Sequence, residues 1–384
     1  MQYLTEQPKS AEDLASALAQ AAGRKQSIEL GGRFSKRAGA GPIEPAGVIV
    51  STVCMNRILA YEPRDLTISV GAGTPYAELT RTLAANGQMI PLDPPFSDLA
   101  TIGGVIASNS SGPRRRLFGT ARDLVIGMKF VTLEGKTIQS GGMVVKNVAG
   151  LDMAKLMIGS WGTLAAIASI NFKLLPIPAV ERTFLIGVDS PAEAFSIRDH
   201  VIRSVLQPSA IDFLNAAAAR EFGYETALLA IEFGGNQAVI GRCQYELGAW
   251  ADAVEQSPDG ARYFWHHVQN FTPRFLGKFP DGVVVRTSTT LKDMPSAIES
   301  LDAPVVARAG SGVIYSYFNR PESAVDWMAS HPKFASLVEY APPARKESTP
   351  LWPSPGGDME LMKRVKQMFD PDNLLNRGRY YRHF

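Results

Sequence analysis

Three glycine-rich stretches hold the residues of this chain best suited to chemistry. The first is Gly31-Gly32-Arg33-Phe34-Ser35-Lys36. The second runs from Thr101-Ile102-Gly103-Gly104 through Ala107-Ser108-Asn109, with Pro91-Leu92-Asp93-Pro94 ahead of it and Ser111-Gly112 and Phe118-Gly119 behind. The third, Gly159-Ser160-Trp161-Gly162-Thr163-Leu164, follows Lys146-Asn147-Val148-Ala149-Gly150-Leu151-Asp152. Glycine removes the Cβ that would hold a ligand away from the main chain, and Thr, Ser and Asn add short-range donors. Backbone of this kind approaches another molecule closely and donates hydrogen bonds to it. Taken alone, Gly31-Gly32 reads better as a turn between strands than as a binding loop. The three stretches together imply a binding site.

Two nucleotide folds are excluded. Gly71-Ala72-Gly73 begins a GxGxxG fingerprint, but Tyr76 stands at the third glycine position, so the dinucleotide motif fails. No GxxxxGK[ST] occurs anywhere, which removes the P-loop.

The elements that must position these stretches are legible in outline. Ser10-Ala11-Glu12-Asp13 resembles a capping box, and Leu14, Leu18 and Ala21 follow at helical spacing up to Gly23. Ser27 to Leu30 and Leu66 to Val70 read as strands. Thr74-Pro75 reads as the cap and first residue of a helix with Tyr76, Leu79 and Leu83 on one face. Asp123 to Leu133 and Lys136 to Gln139 form a hairpin across Glu134-Gly135, and Leu156 to Phe172 reads as a turn followed by a strand. Beyond Pro176 and Pro178, two β-α-β-β-α-β-like series appear. The first comprises strands 181–188, 209–214 and 227–233 with helices 191–205 and 237–254. The second comprises strands 282–288, 304–309, 313–318 and 336–340 with helices 294–301 and 322–330. They predict a paired ferredoxin-like α+β domain. A proline-rich linker then leads to a helix over 358–369 with Met362, Val365 and Phe369 on one face. Expected boundaries are 1–178, 179–343 and a returning segment 344–384.

Composition narrows the class. At 384 residues the chain accommodates two cores, and its 45% hydrophobic and 20% charged content is that of a globular protein. A net charge of +2 gives no general attraction to nucleic acid or acidic lipid. Cys54 and Cys243 lack metal or disulfide spacing and read as free, buried thiols. The start of the chain has no basic, apolar leader and no run is apolar enough to span a membrane. A cytoplasmic protein without direct membrane insertion is expected, at most peripheral to the inner membrane through partners.

The order of the glycine-rich pieces, with Phe369-Asp370-Pro371 and Asn376-Arg377-Gly378-Arg379 closing the chain, resembles the FAD-binding fold of the vanillyl-alcohol oxidase and p-cresol methylhydroxylase superfamily. Within it, Ser111-Gly112-Pro113-Arg114-Arg115, Arg122-Asp123-Leu124-Val125-Ile126-Gly127 and Val145 to Asp152 are similar to the E-type FAD-binding subunits of glycolate oxidase. Departures are Leu151 for a frequent Tyr, Ala165 for a frequent Gly and Arg377 for a common Pro. The resemblance implies an α+β protein: a two-subdomain FAD-binding domain with a ferredoxin-like cap. It implies FAD contacts from Gly31, Gly32, Arg33, Phe34, Ser35, Lys36, Pro94, Thr101, Ile102, Gly103, Gly104, Ala107, Ser108, Asn109, Gly112, Gly119, Gly150, Asp152, Gly159, Ser160, Gly162, Thr163, Ile167 and Arg379. Some members tether FAD through a loop His. Here His200, His266, His267, His331 and His383 all lie outside the candidate loops, so non-covalent FAD is expected.

The implied activity is oxidation of glycolate, or a similar 2-hydroxy acid such as D-lactate, to the 2-oxo acid. A second FAD subunit and an iron–sulfur subunit are the implied partners; this chain has no Cys cluster for iron–sulfur ligation. Such chemistry needs a base, a cation for the carboxylate and a hydride acceptor. The metal-binding His segment of catalytic relatives is matched by Ala307-Arg308-Ala309-Gly310-Ser311-Gly312, which lacks both His, so no metal site is expected. A non-catalytic electron-relay or structural subunit is therefore the alternative. Arg308 and Arg286 are candidates to clamp a carboxylate, with a salt bridge the plainer role for either. Arg379 is expected near the flavin, where positive charge favours the reduced ring. Arg114-Arg115-Arg116 reads as a phosphate contact or a solvated loop. His266-His267, read as neighbours on a strand, would point apart and pack rather than catalyse.

Overall fold

The computed structural model describes residues 4–143, 151–299, 301–347 and 349–381. Two sheets and their helices build the region carrying the glycine-rich stretches. Strands Leu4–Glu6, Val48–Ser51 and Ile28–Gly31 form a parallel sheet with Val48–Ser51 at its centre. An antiparallel sheet of five strands is ordered Ile58–Glu62, Thr67–Gly71, Ala166–Lys173, Val125–Val131, Thr137–Gly141. Helix Ala11–Gly23 starts where Ser10 accepts a hydrogen bond from Asp13 N, and it buries Leu14, Leu18 and Ala21. Those side chains pack with Val48, Val50, Val131 and Ala166 between the two sheets. Helix Tyr76–Ala84 buries Tyr76, Leu79 and Leu83 as their spacing predicts. Its N-cap is Pro75 rather than Thr74, and no side chain caps it.

The rest of the chain forms a sheet of eight strands. Its order is Ala253–Glu255, Val180–Val188, Ala227–Gly235, Pro208–Leu214, Val305–Arg308, Val313–Phe318, Val283–Ser288, Ala335–Tyr340. Each run of four has the ferredoxin-like order, and the second strands of the two halves join them through Phe213↔Ala307 and Leu214↔Val306. Strand alternation divides the sheet's surface. Phe213, Ile231, Val285, Ala307, Ile314 and Val338 face a core shared with helices Pro191–Arg203, Gln237–Gly248, Met294–Ile298 and Pro321–Ser330.

Three expectations need correction here. Helix 237–254 ends at Gly248, because the chain must turn to supply edge strand Ala253–Glu255. Helices Pro258–Gln269 and Phe271–Lys278, which the strand-based reading omitted, cover part of the sheet's other face through Phe264, Val268, Phe271 and Phe275. His266 and His267 therefore sit on a helix, and His267 lies against Tyr263 one turn back. Cys243 is buried, but Cys54 is only partly so.

The tail returns as helix Met359–Phe369. Lys366 Nζ donates to Thr163 O (2.8 Å) and Asp370 Oδ2 (2.6 Å), and Asp370 accepts from Leu374 N (2.8 Å) and Leu375 N (2.7 Å). This buried cluster fixes residues 374–379 beside the first parallel sheet. Among the described residues no helix is long and apolar enough to cross a membrane.

Candidate flavin cleft and adjoining chamber

A cleft of about 730 Å³ opens where the parallel sheet ends. Its first wall is the loop leaving strand Ile28–Gly31, contributed by Gly31, Gly32, Arg33, Phe34, Ser35 and Lys36. Ser51 Oγ donates to Gly32 O (2.8 Å), and the Arg37–Glu29 ion pair (2.7 Å) pins the far end. Close approach requires glycine at 32: a Cβ there would stand 2.2 Å from Thr101 Oγ1. Phe34 holds a left-handed conformation (φ 54°), an energetically costly state for a non-glycine residue.

The second wall is a short helix, Ile102–Ala107, rather than an irregular loop. Thr101 caps it through Gly104 N, and Gly103 N donates to Ala72 O (2.8 Å). Thr101, Gly103, Gly104, Ala107 and Ser108 line the cleft, with Trp161, Gly162, Ala165 and Ile167 closing a third side. Asn376 ties the walls together. It accepts from Leu30 N (2.7 Å) and donates to Leu30 O (3.0 Å) and Trp161 O (2.7 Å). Gly162 admits it, since a Cβ there would meet Asn376 Nδ2 at 2.8 Å.

Two cations look into this space. Lys36 is 7% exposed, and its Nζ makes no hydrogen bond among the described residues. Burial pulls its amine down to about 7, against an upward pull from Glu339. Arg379 donates to Arg37 O (3.1 Å) and Gly39 O and lies 5.4 Å from the Trp161 ring, leaving its Nε unbonded. Burial lowers its guanidinium to about 10. Lys36 Nζ and Arg379 Nε are buried donors without a hydrogen-bond partner among the described residues, glycines leave main chain uncovered, and Ala165 and Ile167 add apolar surface. A diphosphate joined to a broad aromatic ring fits this donor set.

Ser108 and Trp161 also border a second cavity of about 980 Å³, between the glycine-rich region and the eight-stranded sheet. Arg286, Tyr315 and Glu339 enter it from the sheet, Arg115 and Asn109 from the opposite side, and Gly159 and Tyr380 complete it. Arg286 Nε stands 3.8 Å from Glu339 Oε2, and Arg115 donates to Ser111 Oγ (3.2 Å). Burial raises the Glu339 carboxyl, opposed by Arg286, Arg115, Arg308 and Lys36.

Several expected contacts lie elsewhere. Arg308 enters neither cavity. It is 6% exposed and paired with Asp212, which is 0% exposed, because strands 208–214 and 305–308 place the two side by side. Burial pushes Asp212 up to about 6 against the pull of Arg308. Arg114 makes a two-point ion pair with Asp93 (2.5 and 2.9 Å) instead of facing a phosphate. Ile102 is core, and Pro94 O accepts from Gln269. Gly112 meets the Asp93 main chain and Gly119 meets Asp123. Ser160 and Thr163 bond to each other's turn, and Asp152 is exposed beside Lys155. Gly150 and the rest of Lys146 to Gly150 lie outside the described residues.

Sequence reasoning missed Asn376, Trp161, Ala72 and Thr52 in the cleft and Arg115, Tyr315 and Glu339 in the chamber. Asn376 carried a signal, an Asn inside the closing Asn-Arg-Gly-Arg segment. Tyr315 and Glu339 carried none, since nothing in their neighbourhoods marks a cavity.

Comparison with known proteins gives matches to flavin-binding families and relatives. The FAD binding domain family matches residues 4–141, and the FAD linked oxidases C-terminal domain matches residues 354–380. Glycolate oxidase subunit GlcE of Escherichia coli (strain K12) is 29% identical over 343 residues, covering 87% of each chain. Glycolate oxidase subunit GlcD of Bacillus subtilis (strain 168) is 34% identical over 172 residues, but the match spans 44% of this chain and 36% of that protein. A D-lactate dehydrogenase of Anaerostipes hadrus is 30% identical over 44% of this chain and 35% of its own length. Among solved structures, an alkyldihydroxyacetonephosphate synthase superposes with a TM-score of 0.74 (18% identity, 97% of this chain, 75% of that one). The 4-ethylphenol oxidase of Gulosibacter chungangensis gives 0.73 (13% identity, 98% and 88%). These two share the fold.

Proposed function

We propose that this chain, an FAD-binding oxidoreductase similar to the FAD-linked oxidases, is the FAD-bearing subunit of a complex oxidising glycolate or a similar 2-hydroxy acid. The observation that carries the proposal is the adjacency of two spaces. The cleft with its glycine walls and the cations Lys36 and Arg379 shares Ser108 and Trp161 with a chamber bearing Arg286 and Arg115.

In this reading the Gly31-to-Lys36 loop and Thr101 to Ser108 would hold the diphosphate, Ala165 and Ile167 would offer apolar surface to the rings, and Lys36 with Arg379 would supply positive charge. Bound there without a covalent tether, FAD supplies a two-electron acceptor. Trp161 and Asn376 exclude water by closing the cleft around it, and Arg286 and Arg115 orient the carboxylate of the acid. The boundaries 1–178, 179–343 and 344–384 follow as the FAD-binding domain, cap and returning segment. Partner subunits, one carrying a second FAD and one iron–sulfur clusters, would accept the electrons.

A second reading, a flavin relay whose sister subunit performs the chemistry, is favoured by one observation: Arg308, at the position where the resemblance implies a metal-binding His, is locked on Asp212. Purified chain reconstituted with FAD separates the two. Anaerobic glycolate or D-lactate bleaches the flavin if this subunit oxidises the acid. Flavin that stays oxidised leaves the relay reading, and a chain that refuses FAD sinks both.

A further inference from the structure

We infer that Glu339 is the proton acceptor, and the Arg286–Arg115 pair the carboxylate anchor, of a 2-hydroxy-acid site in the chamber that uses no metal ligand set. The inference rests on the FAD reading above and assigns the chemistry that reading leaves open.

Sheet register is the first support. Arg286 lies opposite Tyr315 on one neighbouring strand and Leu337 on the other. Glu339 is two residues beyond Leu337, so Arg286, Tyr315, Leu337 and Glu339 share one face, and all four line the chamber. Across the gap stands Arg115, held by Ser111. An acceptor oxygen and two guanidinium groups thus line a space that shares Ser108 and Trp161 with the flavin cleft. That combination suits a ligand with a carboxylate at one end and a hydroxyl at the next carbon.

The second support is what Glu339 lacks. Its Oε2 is buried without a hydrogen bond, and the nearest cation, Arg286 Nε, is 3.8 Å away, beyond hydrogen-bonding distance. A buried carboxylate oxygen left this way has an open place for a donor, and the hydroxyl of the acid is such a donor. Groups facing it from every packed element are Arg286, Tyr315 and Tyr317, Arg308, Arg115, Lys36 and its neighbour Tyr340. Burial outweighs these cations and holds the carboxyl above its ordinary range, which brings it closer to the working range of a base. Glu339 is the carboxylate among the described residues lining the chamber.

The step balances. The hydroxyl O–H breaks and its proton goes to Glu339. The C–O bond becomes C=O as the Cα–H bond breaks, and FAD, when bound, would supply the two-electron acceptor for that hydride.

The experiment uses the FAD-loaded full chain. Glycolate binding is measured by calorimetry, and single-turnover flavin bleaching by anaerobic stopped flow between pH 5 and 9 (on the order of two units either side of neutrality). Glu339→Gln should bind glycolate within about twofold of the parent yet bleach about 10²- to 10⁴-fold more slowly, with the rise of rate with pH abolished. Glu339→Asp should recover part of that rate. Arg286→Gln should weaken glycolate binding about tenfold or more and retain the pH profile. Unchanged FAD content certifies that each variant is folded. The inference is overturned if Glu339→Gln bleaches like the parent, if the parent binds glycolate and never bleaches, or if Arg286→Gln binds normally. Should the chain take up no FAD, the functional reading fails, and calorimetry on the colourless protein still decides whether Arg286 anchors a carboxylate.

Discussion

Asn376→Ala is the most informative perturbation of the cleft. The side chain makes three hydrogen bonds, at 2.7, 3.0 and 2.7 Å, to main-chain groups of Leu30 and Trp161, which sit on opposite walls. Alanine leaves Leu30 N without its partner and removes one donor each from Leu30 O and Trp161 O. At about 1 kcal/mol net for each bond, the clamp is worth about 3 kcal/mol. If FAD binds only when the walls are clamped, apparent affinity falls with the closed fraction. Each 1.4 kcal/mol corresponds to about tenfold, so the dissociation constant should rise by about two orders of magnitude. Quenching of flavin fluorescence during titration of the apo chain reads this directly. Asn376→Asp is a sharper control. It keeps an acceptor for Leu30 N but turns an oxygen toward two carbonyls, and should bind FAD no better than the alanine variant. Asn376→Ala that binds FAD within twofold of the parent would refute the clamp.

Gly32→Ala should abolish FAD uptake, since its Cβ falls 2.2 Å from Thr101 Oγ1, and adding Thr101→Ala should restore part of it. Equilibrium dialysis with FAD tests both. Lys36 predicts a pH effect: its folded value of about 7 lies below its ordinary 10.5, so between these values the unfolded chain binds the extra proton. Its contribution to stability therefore rises with pH across that window. The melting temperature of the apo parent relative to Lys36→Met should climb from pH 7 to 10, and FAD should flatten the difference by supplying the amine with an anionic partner; thermal scans that run parallel would contradict this. Arg308→Met leaves the Asp212 carboxylate buried without its cation, so unfolding free energy in urea should fall by about 3–5 kcal/mol. FAD content and glycolate binding should hold. Loss of glycolate binding at unchanged stability would return Arg308 to the carboxylate.

The legible parts of this fold are those that local rules determine. Leu14, Leu18 and Ala21 at helical spacing, the Ser10 and Ser190 caps and the alternating strands of both ferredoxin-like halves all appear where their patterns place them. The glycine-rich stretches likewise converge on one cleft, because missing Cβ atoms mark close approach whatever the surrounding topology. Helices Pro258–Gln269 and Phe271–Lys278 were missed because Phe264, Trp265, His266 and His267 look strand-like when Ser257-Pro258 is not recognised as a helix start. Ile102–Ala107 was hidden by Gly103 and Gly104, which lower helix propensity, while the Thr101 cap and packing on Ala72 override that cost. Arg308 takes the plainer salt-bridge role, but its partner Asp212, 96 residues away, could not be named from the sequence. Only strand pairing across the two halves brings them together.

That pairing explains why the chamber lies where it does. Because residues alternate across a strand, register decides which side chains share a face. Asp212 is opposite Ala230 and neighbours Phe213, which faces Ala307, so Asp212 and Arg308 lie on one side and the apolar core on the other. Continuing through Arg308↔Val313, Arg286↔Tyr315 and Arg286↔Leu337, the same side carries Arg308, Tyr315, Arg286 and Glu339. Helices 258–278 cover part of this side with aromatic side chains. The uncovered remainder faces Lys36 and Arg115. A polar sheet face opposed by a glycine-rich cleft cannot close into a core, since burying these charges without partners would cost several kcal/mol each. Asp212 and Arg308 satisfy one another where the two sheet halves join. Arg286 and Glu339, at 3.8 Å, remain incompletely matched beside the cleft, and the proposed 2-hydroxy acid, a carboxylate bearing a hydroxyl, would complete both.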